Sequence, residues 1–462
     1  MKYIYKSITL FALFIVAHFT LQAQTTVSSI ISSNQTWTAS GSPYIINANV
    51  LIESGVKVTI EPGAQIKGTA DRLRIIVDGE LSAIGKKDSA IVSDSITYEF
   101  TSKCVGYDVS TGLGSQFQYV LFRGNGQGGN KTIDLKGKSM LVKNCKFIDG
   151  YYFIYTYATT GDTTDLVIEK SVFKGGQSSS GGYMVYASGN TRLSISDCYA
   201  DNIGGIVVSK WTTILRSSFK NFGYFSGIRQ SGGRELKLQC NLFQNFRGTI
   251  LDLTYPGTGA LVEVKENTFD SSEVLLKLRG GVFTSSNLTI KNNNFLQFKT
   301  NSIVVSTGST PGLADTLDLT SNYWGTSVKA DIEVGIKDFL DDITLGAQID
   351  FSSYLTSKVT TCSTGGTIGG ADTAGVHTGI HVFTTKNISM YPNPANSQLQ
   401  LDGEGAVISA VRIMDFNGQV KLSQEVSNQT PIIDVNSLSD GIYIIEVQGA
   451  DFISRSKLVV KH

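Results

Sequence analysis

The sequence predicts an all-β chain: a right-handed parallel β-helix solenoid followed by a small Ig-like β-sandwich. An aromatic residue recurs at intervals in the mid-twenties, and apolar residues approach it in alternation. The pattern stops at a Gly-, Thr- and Ser-rich stretch, after which short strands and turn signals take over. A fixed period of that size marks a solenoid. Alternation marks strands with one buried face. The break marks a linker and a separate domain.

The repeat is clearest in the segments ending at Phe147, Phe173, Phe243, Phe269, Phe295 and Trp324, such as Leu-Lys-Leu-Gln-Cys-Asn-Leu-Phe243. In each, apolar residues stand seven and five positions before the aromatic. Two copies are imperfect: Tyr199 is one residue short in its approach, and Phe219 has Thr212 at an apolar position. Counted from Phe122, the spacings are 25, 26, 26, 20, 24, 26, 26 and 29. The rest of each unit is a second β-rich run, at 183–187, 206–208, 250–253, 274–278 and 303–305. A leucine-rich repeat needs a leucine framework and a helical half-turn there, so the β-helix is favoured. Stacked coils pair each strand with its copies in parallel and share one core.

Two residues before each aromatic stand Cys145, Ser171, Asp197, Ser217, Asn241, Asn267, Asn293 and Asn322. Small polar groups at one repeated corner can hydrogen-bond their copies above and below, and they tolerate left-handed backbone. This set is expected to be structural. The cysteines number five, with Cys145, Cys198 and Cys240 near equivalent repeat positions. All three are expected to be free, buried core residues, with disulfides or ligands as the alternatives.

Lys+Arg and Asp+Glu are both 39, which removes any global pull toward nucleic acid or anionic membranes. Residues 1–23 read as a signal peptide: Lys2 and Lys6, an apolar run from Ile8 to Phe19, and a cut after Ala23. That run is too short to span a bilayer, so the mature chain is expected to lack a transmembrane segment. The β-helix then covers 25–356, a flexible linker 357–388 and the C-terminal domain 389–462.

Over 27–356 the pattern resembles the pectin-lyase-like superfamily of right-handed β-helices. Residues 50–67 look like the opening coil of such proteins, and Ser-Asn-Tyr-Trp-Gly-Thr at 321–326 looks like their closing signature. The C-terminal domain carries Tyr391-Pro392-Asn393-Pro394-Ala395, Phe416-Asn417-Gly418-Gln419, Leu438-Ser439-Asp440-Gly441-Ile442-Tyr443 and Lys457-Leu458-Val459-Val460. Together these resemble the C-terminal sorting domain of the type IX secretion system of Bacteroidota. The resemblance implies Tyr391, Pro392, Asn393, Pro394, Gly418, Gly441, Tyr443 and Lys457 as the sorting motif, with a translocon and a sortase as partners. It also implies transit through the periplasm to a secreted or surface-attached state. An Ig-like binding module is the alternative.

Histidine limits the chemistry. The four are His18, His377, His381 and His462, all outside the solenoid. That excludes a Ser–His–Asp set, a Cys–His pair or a His-rich zinc site within it. No metal or cofactor is expected. The polygalacturonase-like and pectate-lyase-like motif blocks are absent, and the Asp341-Asp342 pair lies beyond the last repeat. One constellation remains: Lys210, Arg229, Asp252, Lys277 and Arg279 as candidate catalytic residues, with Tyr183, Tyr186, Trp211 and Tyr255 as candidate carbohydrate platforms. Alternation puts Arg229, Asp252, Lys277 and Arg279 outward, with equivalent positions of successive coils about 4.8 Å apart. The run Tyr151 to Tyr157 is expected to divide its tyrosines between core and surface. Three readings stay open: a solvated face, a glycan-binding face, or a lyase of anionic polysaccharide in which Ca²⁺ could take part. The expectation is a secreted or surface β-helix protein that binds glycans or surfaces in an adhesin-like way without catalysis. The alternative is a polysaccharide lyase or glycoside hydrolase.

Overall fold

The period-two approach to each aromatic does form strands, and they stack in parallel. The computed structural model describes residues 24–462 except 125–128, 159–162, 176–181, 209, 224–226, 256–258, 280–282, 285, 298–300, 307–314, 361, 363–387, 404–406, 416–419 and 450–452. The segment 1–23 expected to be a signal peptide, most of the expected linker and Gly418 thus lie outside the described residues. Each coil contributes a strand in turn to a first, a second and a third sheet, which hold twelve, thirteen and eleven strands. Every pairing in these sheets joins successive coils, in parallel. In the third sheet the two apolar residues of each repeat face inward; Leu236 and Leu238 stack on Val262 and Val264, then on Leu288 and Ile290.

Strands of the first sheet are short because left-handed residues bracket them. Asn144, Lys170, Asp197, Arg216, Cys240, Glu266, Asn292 and Ser321 turn the chain in with positive φ. Asp149, Asn202, Asn221, Asn245, Ser271 and Gln297 turn it out again. Between the corners one residue points into the core. Phe122, Phe147 and Phe173 stack there at 4.6 Å per step. Phe219, Phe243, Phe269, Phe295 and Trp324 stack at 4.9–5.2 Å. Tyr199 does not belong to this ladder. Ala200 pairs with Phe173 and Phe219, and Tyr199 is displaced to the half-exposed side. Counted to Ala200, the apolar approach of Leu193 and Ile195 has the standard spacing. The same ladder line runs N-terminally through Ser93, Ile66 and Tyr44. At Ser93 the missing ring is replaced by Tyr98, whose hydroxyl lies 2.8 Å from the serine Oγ.

The small polar ladder stands beside the aromatics. Backbone N–H groups of Ser217, Asn241, Asn267 and Asn293 each donate to the Oδ1 of the asparagine one coil on, at 2.9 Å. The same Oδ1 of Asn267, Asn293 and Asn322 also accepts from the Nδ2 of the preceding asparagine, at 3.0–3.1 Å. Each Nδ2 also reaches backbone carbonyls, as Asn267 does to Leu238 and Lys265. All four asparagines are fully buried. The member in the Ala200 coil is Cys198, not Asp197: its N–H donates to Ser217 Oγ at 3.1 Å. Asp197 is the corner residue before it and points out to Arg216.

That one-residue offset also corrects the expectation for Cys240. Cys145 and Cys198 occupy the inward ladder position and are free and buried, as is Cys104. Burial pushes all three thiols up to about 12. Cys240 occupies the corner, one position earlier, and forms a disulfide with Cys362. The segment after the last coil therefore returns along the solenoid. Leu355 N donates to Asn322 O, Val359 is bracketed by both side-chain atoms of Asn294, and Cys362 reaches Cys240. This strap crosses the coils of Trp324, Phe295 and Phe269 to end on that of Phe243.

The C-terminal unit, His377–His462, is separate. Antiparallel strands Ser389–Tyr391, Gln398–Asp402 and Ile432–Asp434 form one sheet. Strands Ile408–Met414, Val420–Asn428, Gly441–Gly449 and Ile453–Val460 form another. Leu399, Leu401 and Ile433 of the first share a core with Val411, Ile413, Ile445 and Leu458 of the second. The strand at 420–428 escapes the apolar alternation because it is an edge with no fully buried residue.

Asn267→Ala removes two donors and an acceptor from a dry site and should lower stability by about 3 kcal/mol or more, read as a fall in the denaturation midpoint. Ser217→Ala removes a smaller set and should lower it by about 1 kcal/mol. Peptide mapping without reductant should recover 240 and 362 as one cross-linked peptide. The other three cysteines should react with a thiol reagent only after unfolding, and Cys362→Ser should open the strap at 355–362 to protease.

Candidate functional site

The second sheet supplies the outer face on which the candidate residues fall. Strand Tyr152–Ala158 turns Phe153 and Ile154 inward in succession, and strand Tyr183–Gly189 does the same with Met184 and Val185. The register between Tyr183–Gly189 and the next strand shifts at Tyr183/Val185. Strict alternation would put Tyr183 and Tyr186 on opposite faces. The consecutive inward pair brings both to the outside, and it leaves Tyr151, Tyr152, Tyr155 and Tyr157 there too, against the expectation that the run divides.

These tyrosines form a grid. Tyr152 stacks on Tyr183 at 5.5 Å, and Tyr155 on Tyr186 at 5.2 Å, with ring planes within 9°. The Tyr183–Tyr186 and Tyr152–Tyr155 contacts are edge-on, at 5.6 and 5.9 Å. Tyr151 meets Tyr152 edge-on at 4.9 Å. Partial burial, followed by the neighbouring phenols, raises the pKa of Tyr152, Tyr155 and Tyr183, which favours the uncharged form of these three phenols. Quadrupole-matched edge and offset contacts of this kind fix the rings in place.

Beyond the grid, Tyr186 is followed in register by Val207, Arg229, Asp252 and Lys277, one per coil. Three of the five candidate charged residues thus share one line. Arg279 lies two residues further along the strand of Lys277 and pairs with Ser306. Lys210 does not join them. It sits at the corner after Val208, where its Nζ bonds Asn190 Oδ1 and its carbonyl accepts from Arg234 and Glu235 N–H. Trp211 begins a strand of the third sheet and lies 5.8 Å from Lys210 Nζ. Both are therefore removed from the second-sheet line by a change of sheet. Tyr255 pairs through its backbone with Ser231, and its side chain lies outside the described residues.

Asp252 is 9% exposed, and its Oδ1 accepts from the N–H and Oγ1 of Thr254 at 3.0 and 2.6 Å. Arg229 acts electrostatically on Tyr183, tying the charged line to the grid. On the other side of the grid, Lys131 Nζ lies 3.8 Å from the centre of the Tyr155 ring and 2.9 Å from Asp134. Arg72, Arg74, Thr97, Gly129, Asn130, Lys131 and Asp134 line a cavity of about 240 Å³ there. Glu99 is beside it. Burial opposes its ionisation, yet Lys136 and Arg74 outweigh burial and hold its carboxyl below the ordinary range. Alternation could not reveal this cavity, because its residues come from three separate coils.

The other candidate set lies in the C-terminal unit. Asn393 Oδ1 accepts from Val459 N–H and its Nδ2 donates to Lys457 O, both at 2.9 Å. Ala395 extends the clasp by exchanging backbone bonds with Val459 and Lys461. Tyr443 is buried and donates its hydroxyl proton to Ser439 O at 2.9 Å. Gly441 pairs with Val460 at the sheet end, the Lys457 side chain is exposed, and Tyr391 is 52% exposed. The motif residues thus close the N-terminal edge of this unit onto its last strand. Asn393→Ala removes both clasp bonds and should lower the stability of the C-terminal unit by about 1–2 kcal/mol, read as an earlier unfolding step for that unit within the full chain.

No curated protein matches the chain. A family model described as "Secretion system C-terminal sorting domain" matches residues 389–461, the whole antiparallel unit. Residues 389–461 are a type IX secretion sorting domain, and it directs the β-solenoid that precedes it to the cell surface or beyond.

Proposed function

We propose that the exported solenoid is a non-catalytic polysaccharide-binding protein, and that the outer face of its second sheet is the binding surface. The observation that carries this reading is the tyrosine grid across strands Tyr152–Ala158 and Tyr183–Gly189. Its packed, uncharged rings offer flat apolar area to sugar ring faces, with phenol hydroxyls at the rim for hydrogen bonds. Rigid tyrosines lose little entropy on binding. The described carboxylates of this face are already engaged: Glu99 with Arg74 and Lys136, Asp134 with Lys131, Asp252 with Thr254. A hydrolase would need two of them disposed about a scissile bond.

The register line Arg229–Asp252–Lys277 supports a second reading, a lyase of anionic polysaccharide, in which Ca²⁺ could neutralise the uronate. The three-sheet solenoid favours membership of the pectin-lyase-like superfamily. Residues 1–23 serve as signal peptide, with periplasmic transit before translocation.

Purified protein titrated calorimetrically against a panel of uronic-acid and neutral polysaccharides tests both readings. Binding without ultraviolet-absorbing unsaturated product is expected. Tyr155→Ala and Tyr186→Ala should each weaken it about tenfold, about 1.4 kcal/mol. Absence of binding across the panel would sink the proposal. Product formation that disappears in Arg229→Ala and Lys277→Ala would replace it with the lyase.

A further inference from the structure

We infer that the tyrosine grid is an oxidative cross-linking site, where Tyr155 and Tyr186 join ring to ring as a dityrosine that staples two successive coils. The proposal rests on the placement of the rings and holds whatever ligand the face binds. Tyr155 and Tyr186 are paired in backbone register, as are Tyr152 and Tyr183. Their rings lie parallel within 9°, at 5.2 and 5.5 Å. Edge contacts to Tyr151 and between the two stacks connect five rings, with no centroid step longer than 6.2 Å. An electron lost from one ring can be replaced from its neighbours, so the radical stays within the grid. All five rings are half-buried, which leaves them open to an oxidant at the surface. Sulfur groups that would intercept a tyrosyl radical are kept away. Met184, next to Tyr183 in the chain, points into the core. Cys104, Cys145 and Cys198 are buried, and Cys240 is already oxidised in its disulfide.

The chemistry needs a one-electron oxidant, and hydrogen peroxide acting through a peroxidase supplies it. Each phenol gives up one electron and its hydroxyl proton and becomes a neutral phenoxyl radical. The two radicals pair their electrons in one bond between ring carbons ortho to the oxygens. Each of those carbons then releases its hydrogen as a proton, and each phenol oxygen regains one. In all, two electrons and two protons pass to one peroxide, which leaves as two waters. Parallel stacking sets equivalent positions about 4.8 Å apart, so the partners are held together before reaction. Such preorganisation favours coupling within one molecule over a meeting of two. Lys131 narrows the choice of partner. From the preceding coil, its Nζ stands 3.8 Å from the centre of the Tyr155 ring. Tyr186, from the following coil, is the ring stacked on Tyr155. The bond ties strand Tyr152–Ala158 to strand Tyr183–Gly189, a second covalent closure beside that of Cys240 and Cys362.

The test is oxidation of the dilute full chain with a peroxidase and limiting hydrogen peroxide. Dityrosine fluorescence, denaturing electrophoresis and peptide mapping read the outcome. A fluorescent product that stays monomeric is expected, with residues 155 and 186 in its main cross-linked peptide. Tyr155→Phe and Tyr186→Phe keep the stacked rings and lose the phenol, and each should lower the yield about fivefold or more. Tyr354→Phe, outside the grid, should leave the yield unchanged. The oxidised protein should also unfold at a higher denaturant midpoint than the untreated one, because the cross-link closes a loop of the unfolded chain. Tyr186→Phe should show no such gain. Absence of dityrosine, fluorescence carried by covalent dimers, or an unchanged yield in both grid variants overturns the proposal. A main cross-link between other tyrosines does so too.

Discussion

At the buried corner between third-sheet and first-sheet strands, the backbone N–H groups of Cys145, Cys198, Ser217, Asn241, Asn267 and Asn293 each donate a hydrogen bond to a side chain of the next coil. The chain from Ser217 through Asn241, Asn267 and Asn293 to Asn322 is the fullest case. A slip of one residue would move every ladder side chain out of reach and turn every apolar residue to the wrong face. Exposed cross-coil pairs such as Arg123–Asp94, Arg192–Asp165 and Arg216–Asp197 obey the same register. Such pairs contribute at most about 1 kcal/mol each, whereas an orphaned buried N–H costs about 1–3 kcal/mol. The buried ladder therefore sets the register, and the surface charges conform to it.

The ladders were legible in the sequence wherever a large aromatic announced them. Phe243, Phe269 and Phe295 could be aligned by eye, and with them the asparagines two positions earlier. The Ala200 coil was misaligned because alanine fills the ladder position and the adjacent Tyr199 supplies a false marker. The coils of Tyr44, Ile66 and Ser93 keep the architecture with little of the aromatic signature, since Tyr98 and Trp37 fill core space from other sheets. Cys240 shows how sharply one residue matters. At the ladder position a cysteine is a core atom; at the corner it faces out and meets Cys362. A pairing across 122 residues leaves no local trace in sequence.

The candidate surface was legible in half. Parallel stacking of Arg229, Asp252 and Lys277 follows from alternation alone. The tyrosine grid does not, because it depends on two consecutive inward residues in each of two strands, a departure from period two that composition cannot signal. Lys210 and Trp211 failed to join for the complementary reason: a corner falls between Val208 and Trp211, and residues on either side of a corner belong to different faces. The sorting domain was readable because its motif residues have fixed local tasks, as in the clasp of Asn393 on the last strand.

A solenoid that repeats its register offers lines of side chains, one position per coil. At Arg229, Asp252 and Lys277 this face brings like positions past one another at a constant step. What such a line does well is match a ligand that is itself periodic. The strap contributes from outside the line, tying the last coils to that of Phe243 through Cys362. Its disulfide is at home in an exported chain, since the reducing interior of a cell would not preserve it. The exported solenoid thus combines a covalently closed end with an outer face that repeats its positions once per coil.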